Sequence, residues 1–99
     1  MEKMEAIEVM SALAQPTRFE VFTHLARAQP DGLAAGALAE RIGTPASTMS
    51  VHLTILSRAG LISSSKVGRK VIYKAEPASV RDLALFLMND CHLGDEDPG

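Results

Sequence analysis

At 99 residues the chain makes one domain with a small core, and four aromatic residues, Phe19, Phe22, Tyr73 and Phe86, leave that core mainly aliphatic. A lone cysteine, Cys91, excludes an intramolecular disulfide and suits a reducing cytosol, while no run nears the ~20 apolar residues of a membrane span and the acidic N-terminus lacks a secretory signal's order. The net charge of −2 conceals a division: Arg41 to Ala75 carries six bases (Arg41, Arg58, Lys66, Arg69, Lys70, Lys74) and no acid, so local charge favours an anionic partner there.

Glu2 to Ala14 reads as a first helix. Ala6, Ile7, Met10, Leu13 and Ala14 repeat at spacings of three and four and predict its apolar stripe, with Glu2, Glu5 and Glu8 on the other side. Gln15-Pro16 breaks the chain. Pro16 to about Ala28 is a second helix, with a buried stripe expected at Phe19, Phe22, Leu25 and Ala26 and with Arg18 and Arg27 in solvent. Gln29-Pro30-Asp31-Gly32 is a turn. Leu33 to Ile42 predicts a third, short helix with Leu38 and Ile42 inward, stopped by Gly43.

The fourth helix opens after Thr44, a candidate cap, with Pro45 suited to its first position. Met49, Leu53 and Leu56 form one apolar stripe. Ser47, Thr48, Ser50, Thr54, Ser57 and Arg58 make the opposite side polar and free of carboxylates. Gly60 can take the left-handed conformation that ends a helix. The third and fourth helices form a helix-turn-helix unit.

After Gly60 the period changes to two. Residues 61–66 and 70–75 are strand-like and are separated by Val67-Gly68-Arg69, which predicts a hairpin with a basic tip. Such a hairpin behind a helix-turn-helix is a wing able to reach a phosphate backbone or minor groove. The last helix is expected from Val80 to about Cys91, apolar at Val80, Leu83, Ala84, Leu87, Met88 and Cys91 and widened by Leu85 and Phe86. That stripe exceeds what a small core needs from a terminal element. A partner chain is the simplest outlet, and the alternative is that the helix covers its own core. The domain is expected over residues 1–93, with an acidic, flexible tail at 94–99.

Several of these segments together resemble the ArsR/SmtB family of winged helix-turn-helix regulators. The resemblance rests on Ser47-Thr48-Met49-Ser50-Val51-His52-Leu53, the exit Ala59-Gly60-Leu61-Ile62, and Leu13-Ala14-Gln15-Pro16-Thr17-Arg18. Leu38-Ala39-Glu40-Arg41-Ile42-Gly43 and Gly68-Arg69 with Val71 and Tyr73 add to it, over about residues 5 to 92. It implies a mainly α fold with one small β-hairpin between the fourth and fifth helices. It implies a cytoplasmic homodimer joined through the first and last helices, here Ile7, Met10, Leu83, Leu87 and Met88. It also implies an autoregulatory repressor, bound to an inverted-repeat operator in double-stranded DNA and released by an effector. Ser47, Thr48, Ser50 and Val51 would face the major groove, Thr54 and Arg58 would reach backbone or base edges, and Lys66, Arg69 and Lys70 would belong to the wing. Where many members carry a basic or amide side chain this chain has Val51, which can touch a thymine methyl but cannot read guanine bidentately. More of the work then falls to phosphates and DNA shape.

The family's effector sites are not matched. Ala34-Ala35-Gly36-Ala37 offers no thiolate, and Asp82-Leu83-Ala84 supplies an acid without its histidine. Cys91 and His92 remain as a candidate for a metal or metalloid ligand set pooled between two subunits. The reading of Cys91 as the last apolar contact of the dimer helix is favoured over that ligand set, and a redox-responsive thiol is a third reading, weakened by the lack of a resolving cysteine in the chain. His52 reads as structural or phosphate-side rather than as a metal ligand, and His24 as a partly buried surface residue. No catalytic constellation is present, so an enzyme is not expected. The competing class is a winged-helix protein-interaction module, against which the acid-free segment argues.

Overall fold

Gln15 and Pro16 set the first joint of the molecule. The Gln15 side chain accepts a hydrogen bond from the Arg18 backbone N–H at 2.8 Å, and Pro16 occupies the first turn, where no donor is lost. The computed structural model describes residues 1–90. The chain runs α1 (Lys3–Leu13), α2 (Pro16–Arg27), β1 (Leu33–Ala34), α3 (Ala35–Ile42), α4 (Ala46–Arg58), β2 (Ile62–Val67), β3 (Lys70–Ala75) and α5 (Pro77–Leu85), continued by a π-helical turn at Phe86–Asp90. Cys91, His92 and the tail lie outside the described residues.

The core lies where α2, α3 and α4 meet. Val21, Leu25, Leu38, Met49, Leu53, Leu56 and Leu61 are its largest fully buried side chains. Each leucine withdrawn from water contributes roughly 2 kcal/mol before entropy is counted. The predicted stripe of α4 is therefore the observed one. The stripes of α1 and α2 are rotated from those expected. On α1 the buried residues are Ala6, Val9 and Ala12, while Ile7 and Met10 turn outward, because small side chains let α1 lie close to α2 and α4. On α2 they are Val21 and Leu25. Phe19 is 54% exposed, Ala26 is also exposed and Phe22 is half-buried.

Leu33 and Ala34 do not open a helix. They pair antiparallel with β3, Leu33 opposite Tyr73 and Ala34 opposite Ile72. The hairpin thus becomes the outer part of a three-stranded sheet in the order β1-β3-β2. β2 and β3 pair from Ile62–Ala75 to Val67–Lys70, so the turn is two residues, Gly68-Arg69, one shorter than expected. A two-stranded ribbon is marginal alone, and the third strand anchors its base. Gln29 also secures this base, its side-chain amide donating to the Ala75 carbonyl at 3.1 Å.

Gly32 is the condition for that pairing. Its φ is +78°, and a Cβ there would collide with the Tyr73 carbonyl oxygen, with Lys74 Cγ at 2.8 Å and with Ile72 Cγ2 at 2.9 Å. Both the backbone conformation and the space exclude a side chain. Gly32→Ala should destabilise the protein by about 2 kcal/mol in denaturant titration, and an unchanged midpoint would show that β1 is dispensable.

Thr44 does not cap α4. Pro45 holds the cap position with extended backbone, and no side chain caps the first turn. At the other end Gly60 takes φ +76°, and the Leu61 N–H returns to the Leu56 carbonyl at 3.0 Å. α5 begins at Pro77, three residues before the periodicity suggested, and Leu83 is buried at 8% exposure. Ala84, Leu85 and Met88 are exposed, and Val80, Phe86 and Leu87 are half-buried. Among the described residues no helix is long and apolar enough to cross a membrane.

Candidate nucleic-acid interface

α4 is held from beneath by Met49, Leu53 and Leu56, so its other side must face out. Ser47, Thr48, Ser50, Val51, Thr54, Ser57 and Arg58 are all exposed. Val51, at 57% exposure, is an apolar contact point among hydroxyls. Thr54 is partly committed. Its hydroxyl donates to the Ser50 carbonyl at 3.0 Å, leaving the oxygen free to accept but not to donate outward.

The wing supplies charge. Lys66, Arg69 and Lys70 are exposed around the turn, with Lys74 lower on β3. Together with Arg41 and Arg58, all six bases of the acid-free segment lie at the surface. Arg58 also borders a second surface. It lines a groove of about 300 Å³ with Glu5, Glu8 and Asp82, which carry the opposite charge. The acidic boundary of the wing is also engaged, since the Ser63 hydroxyl donates to Glu76 Oε1 at 2.6 Å. At the joint between α4 and α5 the Ser79 hydroxyl donates to the Gly60 carbonyl.

Arg18 was expected in solvent and is found half-buried between helices. Its Nε donates to the Ala12 carbonyl at 2.7 Å, and its Nη1 lies 3.4 Å from Nδ1 of His52 on α4. A signal for this was present in the chain. Arg18, Val21 and Leu25 fall at i, i+3 and i+7, and Val21 and Leu25 prove to be the inward face of α2.

His52 is half-buried, as its place between Val51 and Leu53 suggested. Its pKa is lowered, first because burial disfavours the cation and second because Arg18 repels it. The folded state then takes up protons less readily than the unfolded chain. This stabilisation is fully present above the unfolded value of about 6.5 and is lost as the pH falls through the lowered folded value. Midpoints in denaturant should therefore decline with acidification in that window. His52→Gln should flatten the decline, and an identical slope in the variant would remove His52 as its source.

His24 is half-buried in α2. No three His, Cys, Asp or Glu side chains come together as a metal-ligand group among the described residues. The candidate pair Cys91 and His92 lies outside them.

A family model described as a helix-turn-helix domain matches residues 13–64, from the end of α1 through α4 into β2. The Bacillus subtilis HTH-type transcriptional regulator YbzH is 31% identical, over 88% of this chain and 99% of its own. An ArsR-like transcriptional regulator from Rhodococcus superposes with a TM-score of 0.82 at 35% identity, over 93% of this chain and 84% of that one. The chain belongs to the ArsR/SmtB family. A homodimeric winged helix-turn-helix DNA-binding domain from Mycobacterium bovis, described as a possible ArsR-family transcriptional regulator, is 26% identical with a TM-score of 0.71, over 96% of this chain and 88% of that one. As an ArsR-type protein this chain is a DNA-binding transcriptional regulator, in a family of regulators rather than enzymes. The protein-interaction alternative finds no support among these relatives.

Proposed function

We propose that two copies of the chain assemble through α1 and α5 and bind an inverted-repeat operator, placing one α4 in the major groove of each half-site and one wing along the adjacent backbone. The observation that carries this reading is the exposure of the complete acid-free set: every base from Arg41 to Lys74 and every outer hydroxyl of α4. Ser47, Thr48, Ser50 and Val51 are the side chains for base edges. Lys66, Arg69 and Lys70 are the phosphate contacts, and Thr54 accepts at the groove wall. Arg58, exposed at the end of α4, also borders the groove lined by Glu5, Glu8 and Asp82.

The outward apolar residues of α1 and α5 support the dimer. Met4, Ile7, Met10, Leu85 and Met88 are exposed in the single chain. Leu83, expected at the dimer contact, is instead buried against its own core, because the first turns of α5 pack on α1 of the same chain. The partner-facing set is therefore Ile7, Met10, Leu85 and Met88, with half-buried Leu87 at its edge. Such a dimer would act in the cytoplasm as a repressor of its own promoter, released by an effector.

Anisotropy titration of the native promoter against a random duplex, across a range of salt, tests the reading. Promoter preference with a steep salt dependence is the expected result. Equal affinity for the two duplexes would favour the protein-interaction class, and nearly salt-independent binding would remove the phosphate-led account.

A further inference from the structure

Arg18 joins three helices through one planar group. Its Nε donates to the Ala12 carbonyl at 2.7 Å, its Nη2 lies 3.5 Å from the Ser11 carbonyl, and its Nη1 lies 3.4 Å from His52 Nδ1. The two carbonyls belong to the last turn of α1, where a helix has acceptors to spare and the negative end of its dipole favours a cation. The imidazole belongs to the middle of α4, one residue from Val51. A guanidinium presents donors in a rigid fork, so it fixes the relative direction of its partners and does not merely hold them near one another.

We propose that Arg18 is a positioning residue for DNA recognition, setting the angle of α4 against α1 through His52. The inference rests on the reading of α4 as the operator-binding helix. It adds a connection that the reading lacks. α1 carries the outward Met4, Ile7 and Met10. The clamp adds a directional polar link, through Arg18 and His52, to the direct packing of α1 on α4. Any shift of α1 on its partner is passed to the recognition helix. Arg18 itself makes no base contact in this account.

The test uses the full chain and two variants, Arg18→Lys and Arg18→Ala, with fold checked by circular dichroism. Lysine keeps the charge but offers one point in place of the fork. Arg18→Lys should lose about tenfold in promoter affinity, comparable with one mismatched base pair, at an unchanged salt slope and with unchanged affinity for random duplex. Wild-type promoter affinity in Arg18→Lys would overturn the proposal. So would an equal loss on both duplexes in Arg18→Ala with a shallower salt slope, which would make Arg18 a phosphate contact. The second readout needs no DNA. The His52 imidazole, followed by NMR titration in Arg18→Ala, should move up toward the ordinary histidine value once the neighbouring cation is gone. An unmoved His52 would overturn the clamp. If wild type itself shows no promoter preference, the operator reading fails, and the His52 titration still decides the contact.

Discussion

Neutralising the wing by Lys66→Ala, Arg69→Ala and Lys70→Ala together should lower promoter affinity by roughly a thousandfold at physiological salt. Each phosphate contact adds about one to the slope of log affinity against log salt. Three bases per subunit become six in a dimer, so the slope should flatten markedly. All three side chains are exposed, and none belongs to the core. Thermal stability should consequently stay within about 0.5 kcal/mol of wild type. A triple variant with native affinity would place the DNA elsewhere. A variant that lost affinity with an unchanged salt slope would mean that the wing acts by shape and not by charge.

The second large effect concerns the underside of the same recognition unit. Leu56→Ala should cost about 3 kcal/mol of folding stability, since Leu56 is 0% exposed and its removal leaves a cavity among tightly packed neighbours. For a domain of this size that corresponds to roughly 15 °C in melting temperature, measured at one protein concentration because dimerisation shifts the midpoint. Val51→Ala, on the outer side of the same helix, should change stability by less than about 0.5 kcal/mol. Operator preference should respond in the opposite order, with Val51→Ala altering discrimination at its contacted base and not the midpoint. Similar melting temperatures for the two variants would contradict the orientation of α4.

That orientation was legible in the sequence because α4 is strongly patterned. Met49, Leu53 and Leu56 define a single stripe, and the intervening residues are short and polar. Gly60 marked its end for a reason that holds in any context, the low cost of positive φ. α1 and α2 were harder because each has apolar residues on two sides. On α1 both Ala6-Val9-Ala12 and Met4-Ile7-Met10 satisfy helical spacing, and only packing decides that the smaller set goes inward. On α2 the aromatic Phe19 drew the stripe away from Val21. Arg18 followed from the same ambiguity, since a base on an inward face is acceptable only when carbonyls wait for it. β1 left almost no trace. Two residues, Leu33 and Ala34, carry no periodicity, and their alanine-rich surroundings favour helix. Their pairing is a tertiary matter, permitted by Gly32 and by the edge of β3 that β2 leaves unpaired. Of the candidate site, the exposure of the bases and of the α4 hydroxyls followed from the sequence, because the apolar stripe of α4 and the period of the hairpin leave them outside. That Arg58 also borders a groove with Glu5, Glu8 and Asp82 did not follow from it, because those acids come from α1 and α5.

The sheet that carries the wing divides the chain's freedom to change. From Ser63 to Lys70 every side chain is exposed, whereas Ile62 and Ala75 at the foot of the ribbon are buried. Substitution in the distal half therefore alters what the ribbon touches without disturbing what the domain is built on. A wing tip transplanted from another regulator should fold on this base, provided the two-residue turn and the Ile62–Ala75 register are kept. Single substitutions at this end should therefore leave the stability of the domain unchanged while changing the charge and shape that the ribbon presents.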